Sequence, residues 1–192
     1  VVERSRTERD ALDRTLVQDR REIEELAATS ASMGLAGRLE ALRLRERSAE
    51  LAQFCERIAQ LLPQVSVVRE DGSEQGPPSI RLPNGVRYLG APRGTEIPPF
   101  IAALSGKIRS LDAPLRARLD AASIHPAEME LYVTPHCTFC PGMVLGLMPL
   151  AAADRRIQLA VIDAGRFPEM AASREVRAVP TLVLDGRFRW SG

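Results

Sequence analysis

Leu12, Leu16, Ile23 and Leu26 recur at helical spacing through a densely charged stretch, residues 3–28, with Asp19 interrupting the seam. Apolar residues three and four apart share one helical face, so this stretch predicts an exposed amphipathic helix. Gly34 and Gly37 predict a break over residues 30–37, before a second helical stretch carrying Leu39, Leu42 and Leu44. Leu51, Phe54, Ile58 and Leu61 give one apolar face to a further helix. Pro63 should end it, because proline has no N–H to donate and its ring crowds the preceding turn. Residues 65–68 alternate as a strand does.

A Gly- and Pro-rich loop over residues 71–78 comes next. Residues 79–82 and 86–89 then flank Pro83-Asn84-Gly85, a hairpin signal because Asn-Gly tolerates positive φ. Residues 96–108 read as a helix, and Asp112 followed by Pro114 opens another that ends near Ala122. The second half predicts a strand over residues 129–134 and a helix from about Cys137 to near Pro149. A strand over 157–162, a helix over 168–176, and a hairpin of 181–184 with 187–190 around Asp185-Gly186 complete the order β-α-β-α-β-β. The Pro78-Ser79 and Asn84-Gly85 pattern of the first half returns as Pro180-Thr181 and Asp185-Gly186, a weak repeat that points to two fused α/β units.

Lys and Arg number 26 against 25 Asp and Glu, so no net field favours nucleic acid or an anionic membrane. No apolar run approaches the length that crosses a bilayer, and no signal segment opens the chain, so a cytoplasmic location is expected. The chain begins at Val1 rather than Met and stops beside an expected strand, which fits a fragment.

Three cysteines are present, Cys55, Cys137 and Cys140, and the last two form a CxxC. A cysteine at a helix start faces unsatisfied backbone N–H groups and the positive end of the helix dipole, which stabilise thiolate over thiol. Cys137 is therefore the candidate nucleophile. Cys140, one turn deeper, is the candidate resolver that attacks a mixed disulfide on Cys137. Pro141 is tolerated in the first turn, where N–H groups have no intrahelical acceptor. Zinc is the competing use of a CxxC, but it needs four ligands and normally a second close pair; only His125, His136 and Cys55 remain. Cys55, beside Phe54, reads as a small core residue.

Residues 131–141, Leu-Tyr-Val-Thr-Pro-His-Cys-Thr-Phe-Cys-Pro, with Val161-Ile162-Asp163, Ala178-Val179-Pro180-Thr181 and Asp185-Gly186, resemble the thioredoxin/glutaredoxin superfamily. Gly85-Val86-Arg87-Tyr88, Gly90-Ala91-Pro92 and Gly94-Thr95-Glu96 extend the resemblance to the first unit of tandem glutaredoxin-like proteins. These are the protein disulfide oxidoreductases and the N-terminal redox domain of the alkyl hydroperoxide reductase flavoprotein. The likeness covers about residues 46–190.

The resemblance implies an α/β fold of two fused thioredoxin-like units, the first degenerate, sharing a mixed sheet and preceded by a helical extension. Its expected domains are a charged helical segment (1–45), a unit without a CxxC (46–122) and the CxxC unit (123–192), whose last helix is absent from this sequence. It implies that Pro180 is a cis-proline facing the CxxC, leaving the Val179 backbone to pair with a bound substrate strand, and that Pro78 is its counterpart in the first unit. Thr138 and Phe139 would contact substrate, and Glu96 is a candidate proton relay, with a plain surface charge as the other reading. Gly-Thr-Glu stands where Gly-His-Glu is more usual, and Thr138-Phe139 replaces the glutaredoxin Pro-Tyr pair.

The function implied is thiol–disulfide exchange with a protein disulfide, a peroxiredoxin among the candidates, fed by a thioredoxin-reductase-like flavoprotein. No Rossmann fingerprint appears, so the domain itself is expected to need no cofactor and no metal. A non-catalytic module that presents the N-terminal helices to a partner is the alternative from a different class.

Overall fold

The computed structural model describes residues 35–62, 65–68, 76–122 and 125–192, with side chains from residue 46 onward. The helix expected over residues 3–28 lies outside them. The chain divides into two compact units, Val1–Glu46 and Arg47–Gly192. Helix α1, Leu35–Leu61, runs unbroken for 27 residues, so the two helical stretches expected on either side of residue 45 are one element. Gly37 does not break it. A helical glycine weakens a helix by about 1 kcal/mol but still donates its N–H.

The second unit is built on a six-stranded mixed sheet in the order β1-β2-β4-β3-β5-β6. The strands are β1 Ser79–Arg81, β2 Val86–Leu89, β3 Ala127–Val133, β4 Ile157–Asp163, β5 Thr181–Leu184 and β6 Phe188–Ser191. Both expected hairpins form: β1 pairs antiparallel with β2, and β5 with β6. Gly85 takes φ +79°, the left-handed conformation its turn requires. Strand β4 joins the halves, running parallel to β2 on one side and to β3 on the other. The parallel β3–β4 pair needs a crossover, which helix α4, Cys140–Ala153, supplies.

Alternation along the strands builds a core on each face. Leu131 lies opposite Val161 and Leu182, and these join Val86, Tyr88 and Leu159 in the larger cluster, beneath Phe54 of α1 and Phe100. Phe100 belongs to α2, Ile97–Leu104. Tyr132 lies opposite Ile162 and Thr181, and with Leu89, Phe167 and Val183 it forms the second cluster. That cluster packs against α5, Pro168–Ser173. Each fully buried aliphatic chain contributes about 1.5–3 kcal/mol against exposure, so both registers are strongly held.

Several boundaries differ from the sequence reading. Residues 65–68 form no strand, and Val68 is 79% exposed; alternation without a partner ladder cannot make a sheet. The helix expected over 96–108 is a 3-10 turn, Gly94–Glu96, followed by α2, and it ends where Gly106 takes φ +68°. Helix α3, Ala113–Ala121, starts as expected, with the Asp112 carboxylate accepting the Leu115 N–H at 2.8 Å. Helix α4 runs through Pro149 to Ala153, because burial of Met148, Pro149 and Ala151 offsets the one missing hydrogen bond. Helix α5 stops at Ser173, short of Val176, as Glu175 turns to φ +53°. Among the described residues, no helix is long and apolar enough to cross a membrane.

Candidate active site

Strand β3 delivers the chain at Val133 into a loop that carries the CxxC. The Cys137 N–H turns back to the Thr134 carbonyl at 3.1 Å, and the Cys137 carbonyl cannot open the helix because Pro141, four residues on, has no N–H to give it. The helix begins at Cys140, with Pro141 inside its first turn. Cys137 thus precedes the helix rather than opening it, a correction to the sequence reading. The helix terminus still acts on its sulfur, because the Cys140 N–H donates to Cys137 Sγ at 3.1 Å.

Cys137 and Cys140 are joined in a disulfide, their Cα atoms 5.4 Å apart. Cys140 is 1% exposed and Cys137 is half-buried, so Cys137 is the accessible sulfur of the pair. Thr138 and Phe139 stand between them in solvent, Phe139 77% exposed. Cys55 on α1 belongs to no disulfide.

Val179 and Pro180 arrive at the same end of the sheet, just before β5, joined by a cis peptide bond. The Val179 carbonyl lies 3.8 Å from Cys137 Sγ. Its neighbours are pinned: Thr181 Oγ1 donates to the Ala178 carbonyl at 2.7 Å, and the Gly192 N–H donates to the Pro180 carbonyl at 3.0 Å. Val179–Pro180 is the only cis peptide among the described residues, so the bond before Pro78 is trans, against expectation. Pro78 instead extends the β1–β2 hairpin, its carbonyl accepting the Gly90 N–H at 3.3 Å.

The turn Gly94–Glu96 holds the CxxC loop from behind. The Thr95 N–H donates to the Pro135 carbonyl at 3.0 Å, and its hydroxyl reaches the carbonyls of Pro135 and Cys137 at 3.2 and 3.1 Å. The same turn packs against helix α4. Glu96 is no surface charge, being 4% exposed. One carboxylate oxygen accepts the Arg93 N–H at 3.3 Å, and the other has no partner. Burial first, and then the nearby Asp163 carboxylate, push its pKa up to about 7, against the opposing pull of Arg93 and Arg166. The buried Tyr88 hydroxyl is also without a partner, and burial together with the Glu96 charge raises its pKa.

The structure therefore gathers Cys137, Cys140, Thr138, Phe139 and Val179-Pro180 at one edge, with Glu96 on the turn that supports them. Sequence reasoning missed Thr95 as the anchor of the loop, and Arg93, Asp163 and Arg166 as the charges around Glu96. Gly94 ahead of a polar pair is a turn signal, but nothing local marks the ion cluster, whose members lie about 70 residues apart. Among the described residues, no group of three or more His, Cys, Asp or Glu could hold a metal ion.

Residues 127–192 match the thioredoxin domain family. The alkyl hydroperoxide reductase AhpF of Pseudomonas aeruginosa is 28% identical over 155 residues, covering 77% of this chain and 29% of that protein. The Escherichia coli protein of the same name is 28% identical over 153 residues, 73% of this chain and 28% of its own. The chain thus spans less than a third of the length of these relatives. In three dimensions, the N-terminal domain of the Enterococcus faecalis alkylhydroperoxide reductase AhpF superposes with a TM-score of 0.65 at 23% identity, over 77% of this chain and 79% of that one. A protein disulfide oxidoreductase from Aeropyrum pernix gives 0.53 at 23%, over 77% and 84%. Residues 127–192 thus match the thioredoxin domain family, and the chain has a thioredoxin-like α/β fold similar to the N-terminal region of the alkyl hydroperoxide reductase AhpF.

Proposed function

We propose that this chain is a thiol–disulfide oxidoreductase that exchanges electrons with protein disulfides through Cys137 and Cys140. The observation that carries this reading is the asymmetry of the pair: an accessible sulfur receiving the first helical N–H at 3.1 Å, bonded to a sulfur that is 1% exposed. In the reduced protein the Cys137 thiolate attacks one sulfur of a partner disulfide. That S–S bond breaks, a mixed disulfide forms, and the partner's first thiolate leaves and takes a proton. Cys140, deprotonated, then attacks Cys137 Sγ and releases the second partner thiolate, which is protonated in turn. Two electrons and two protons pass to the partner, and the protein is left as the disulfide described above.

In this reading Val179 supplies backbone polar groups to an extended partner segment, with Pro180 fixing the loop, while Thr138 and Phe139 provide contact area beside Cys137. Glu96, poised near neutrality and held on the turn behind the loop, accepts the Cys140 proton and returns it to the leaving thiolate. Residues 123–192 are the working unit, 46–122 a thioredoxin-like unit without a redox pair, and 1–45 an added helical segment. The names of the relatives point to a peroxide-reducing partner such as a peroxiredoxin. The name of a further relative, an NADH dehydrogenase of Bacillus subtilis, fits an NADH-linked electron donor, for which a thioredoxin-reductase-like flavoprotein is the candidate.

Insulin reduction driven by dithiothreitol, with wild type and Cys137→Ser compared at equal folding by circular dichroism, tests the reading. Activity in wild type that vanishes in the variant supports it. Equal rates in the two proteins would remove it.

A further inference from the structure

Two buried carboxylates share the space behind the CxxC loop, and two arginines reach it from different elements. Asp163, at the end of β4, is 3% exposed. Its Oδ1 accepts the N–H groups of Gly165 and Arg166 at 2.9 and 3.3 Å, and its Oδ2 accepts the Arg93 guanidinium at 3.1 Å. The Arg166 guanidinium stands 3.7 Å from that same oxygen, beyond hydrogen-bond range, and pairs with Glu50 of α1. Arg93 also gives its backbone N–H to Glu96, so one residue grips both acids, one through each of its donors.

The other elements against the Gly94–Glu96 turn carry few ionisable groups; in the CxxC loop His136 stands between Pro135 and Cys137, the two residues that Thr95 holds. Helix α2 reads Ile-Pro-Pro-Phe-Ile-Ala-Ala-Leu and helix α4 Cys-Pro-Gly-Met-Val-Leu-Gly-Leu-Met-Pro-Leu-Ala-Ala-Ala, with no ionisable side chain besides Cys140. From β2 comes the Tyr88 hydroxyl, buried and neutral below its raised pKa. The charged groups acting on Glu96 are thus Asp163, Arg93 and Arg166, with Glu50 offsetting Arg166.

We propose that Arg93 and Asp163 are an opposed pair of positioning residues for the disulfide exchange, acting through Glu96 on the proton that Cys140 gives up. This rests on the thiol–disulfide reading above and on the role it assigns to Glu96. Asp163 disfavours a second negative charge beside it, whereas Arg93 favours one; their bridge fixes both at once. Neither residue touches the sulfurs, so each acts by setting when Glu96 can accept a proton. Loss of Asp163 removes the repulsion and leaves Arg93 and Arg166 to stabilise the Glu96 carboxylate. Loss of the Arg93 charge leaves Asp163 opposed by Arg166 alone.

The test follows the pH profile, from 5 to 9, of single-turnover reduction of insulin by pre-reduced protein, quenched in acid. A ¹³C NMR titration of the glutamate carboxyls, with Glu96→Gln identifying the Glu96 signal, accompanies it. Wild type should show an inflection near the Glu96 titration, absent in Glu96→Gln. Arg93→Met should raise that inflection by about one pH unit, Asp163→Asn should lower it by about one, and Arg93→Lys should restore the wild-type position. A purely structural role predicts slower rates with no such opposed movement. Inflections that stay in place, or that move the same way in both variants, overturn the proposal. Should Asp163→Asn fail to fold, the Met and Lys variants of the half-exposed Arg93 still decide it. If Glu96→Gln retains the full profile while Cys137→Ser is inactive, the inference falls and the cysteine reading stands.

Discussion

Gly94 is seated against Pro135 so closely that a Cβ on it would stand 2.3 Å from the Pro135 carbonyl oxygen. The same glycine takes φ +52°, in the left-handed region that side chains disfavour. Both constraints act at the point where the β2–α2 connection meets the CxxC loop. Gly94→Ala is therefore expected to lower stability by about 1–3 kcal/mol, measured by urea unfolding, and to slow insulin reduction. Full stability in that variant would mean the turn does not hold the loop.

Thr95 contributes a hydroxyl to the same joint, bonded to the carbonyls of Pro135 and Cys137. Thr95→Val keeps the shape and removes the donor, so a loss of about 1 kcal/mol is expected, with the exchange rate reduced several-fold. Serine at the same position should recover most of the rate, since it restores the donor.

Glu96 makes stability depend on pH with a definite sign. Its carboxyl in the folded protein is raised to about 7 from an ordinary value of 4.5. A raised acid favours the folded state fully below pH 4.5, and that contribution fades as pH climbs through about 7. The difference corresponds to up to about 3 kcal/mol. Urea unfolding of wild type against Glu96→Gln should show the two curves diverging between pH 5 and 8, with wild type losing stability relative to the variant. Parallel curves would show that Glu96 does not titrate in this range.

Phe139 is large, apolar and in water beside the accessible sulfur. Phe139→Ser should leave the melting temperature within a degree or two, because no core contact is lost. It should raise KM for insulin by about three- to tenfold, on the order of 1 kcal/mol of contact, while the rate with a small disulfide is retained. An unchanged KM would remove Phe139 from the contact surface.

The features legible in the sequence are those that local chemistry decides. Asn84-Gly85 and Asp185-Gly186 mark both hairpins, and Asp112 marks a helix start, because turn and cap residues act on neighbours a few positions away. Residues 65–68 mislead because alternation names a face but not a partner strand. The start of α4 lies three residues later than the pattern predicts because Pro141 has no N–H for the Cys137 carbonyl, which the Thr95 hydroxyl takes instead, a contact that only the fold supplies. The CxxC pair and Val179-Pro180 are found through residue spacing and resemblance. Arg93 and Asp163 are not, since only the folded sheet brings the β2–α2 connection beside the end of β4.

Everything proposed for this site depends on Cys137 being the attacking sulfur and Cys140 the resolver. Reduced Cys140→Ser, incubated with insulin and digested without reductant, should yield by mass spectrometry a mixed disulfide between the Cys137 peptide and an insulin cysteine. A linkage through Cys55, or no linkage while wild type reduces insulin under the same conditions, would overturn that assignment.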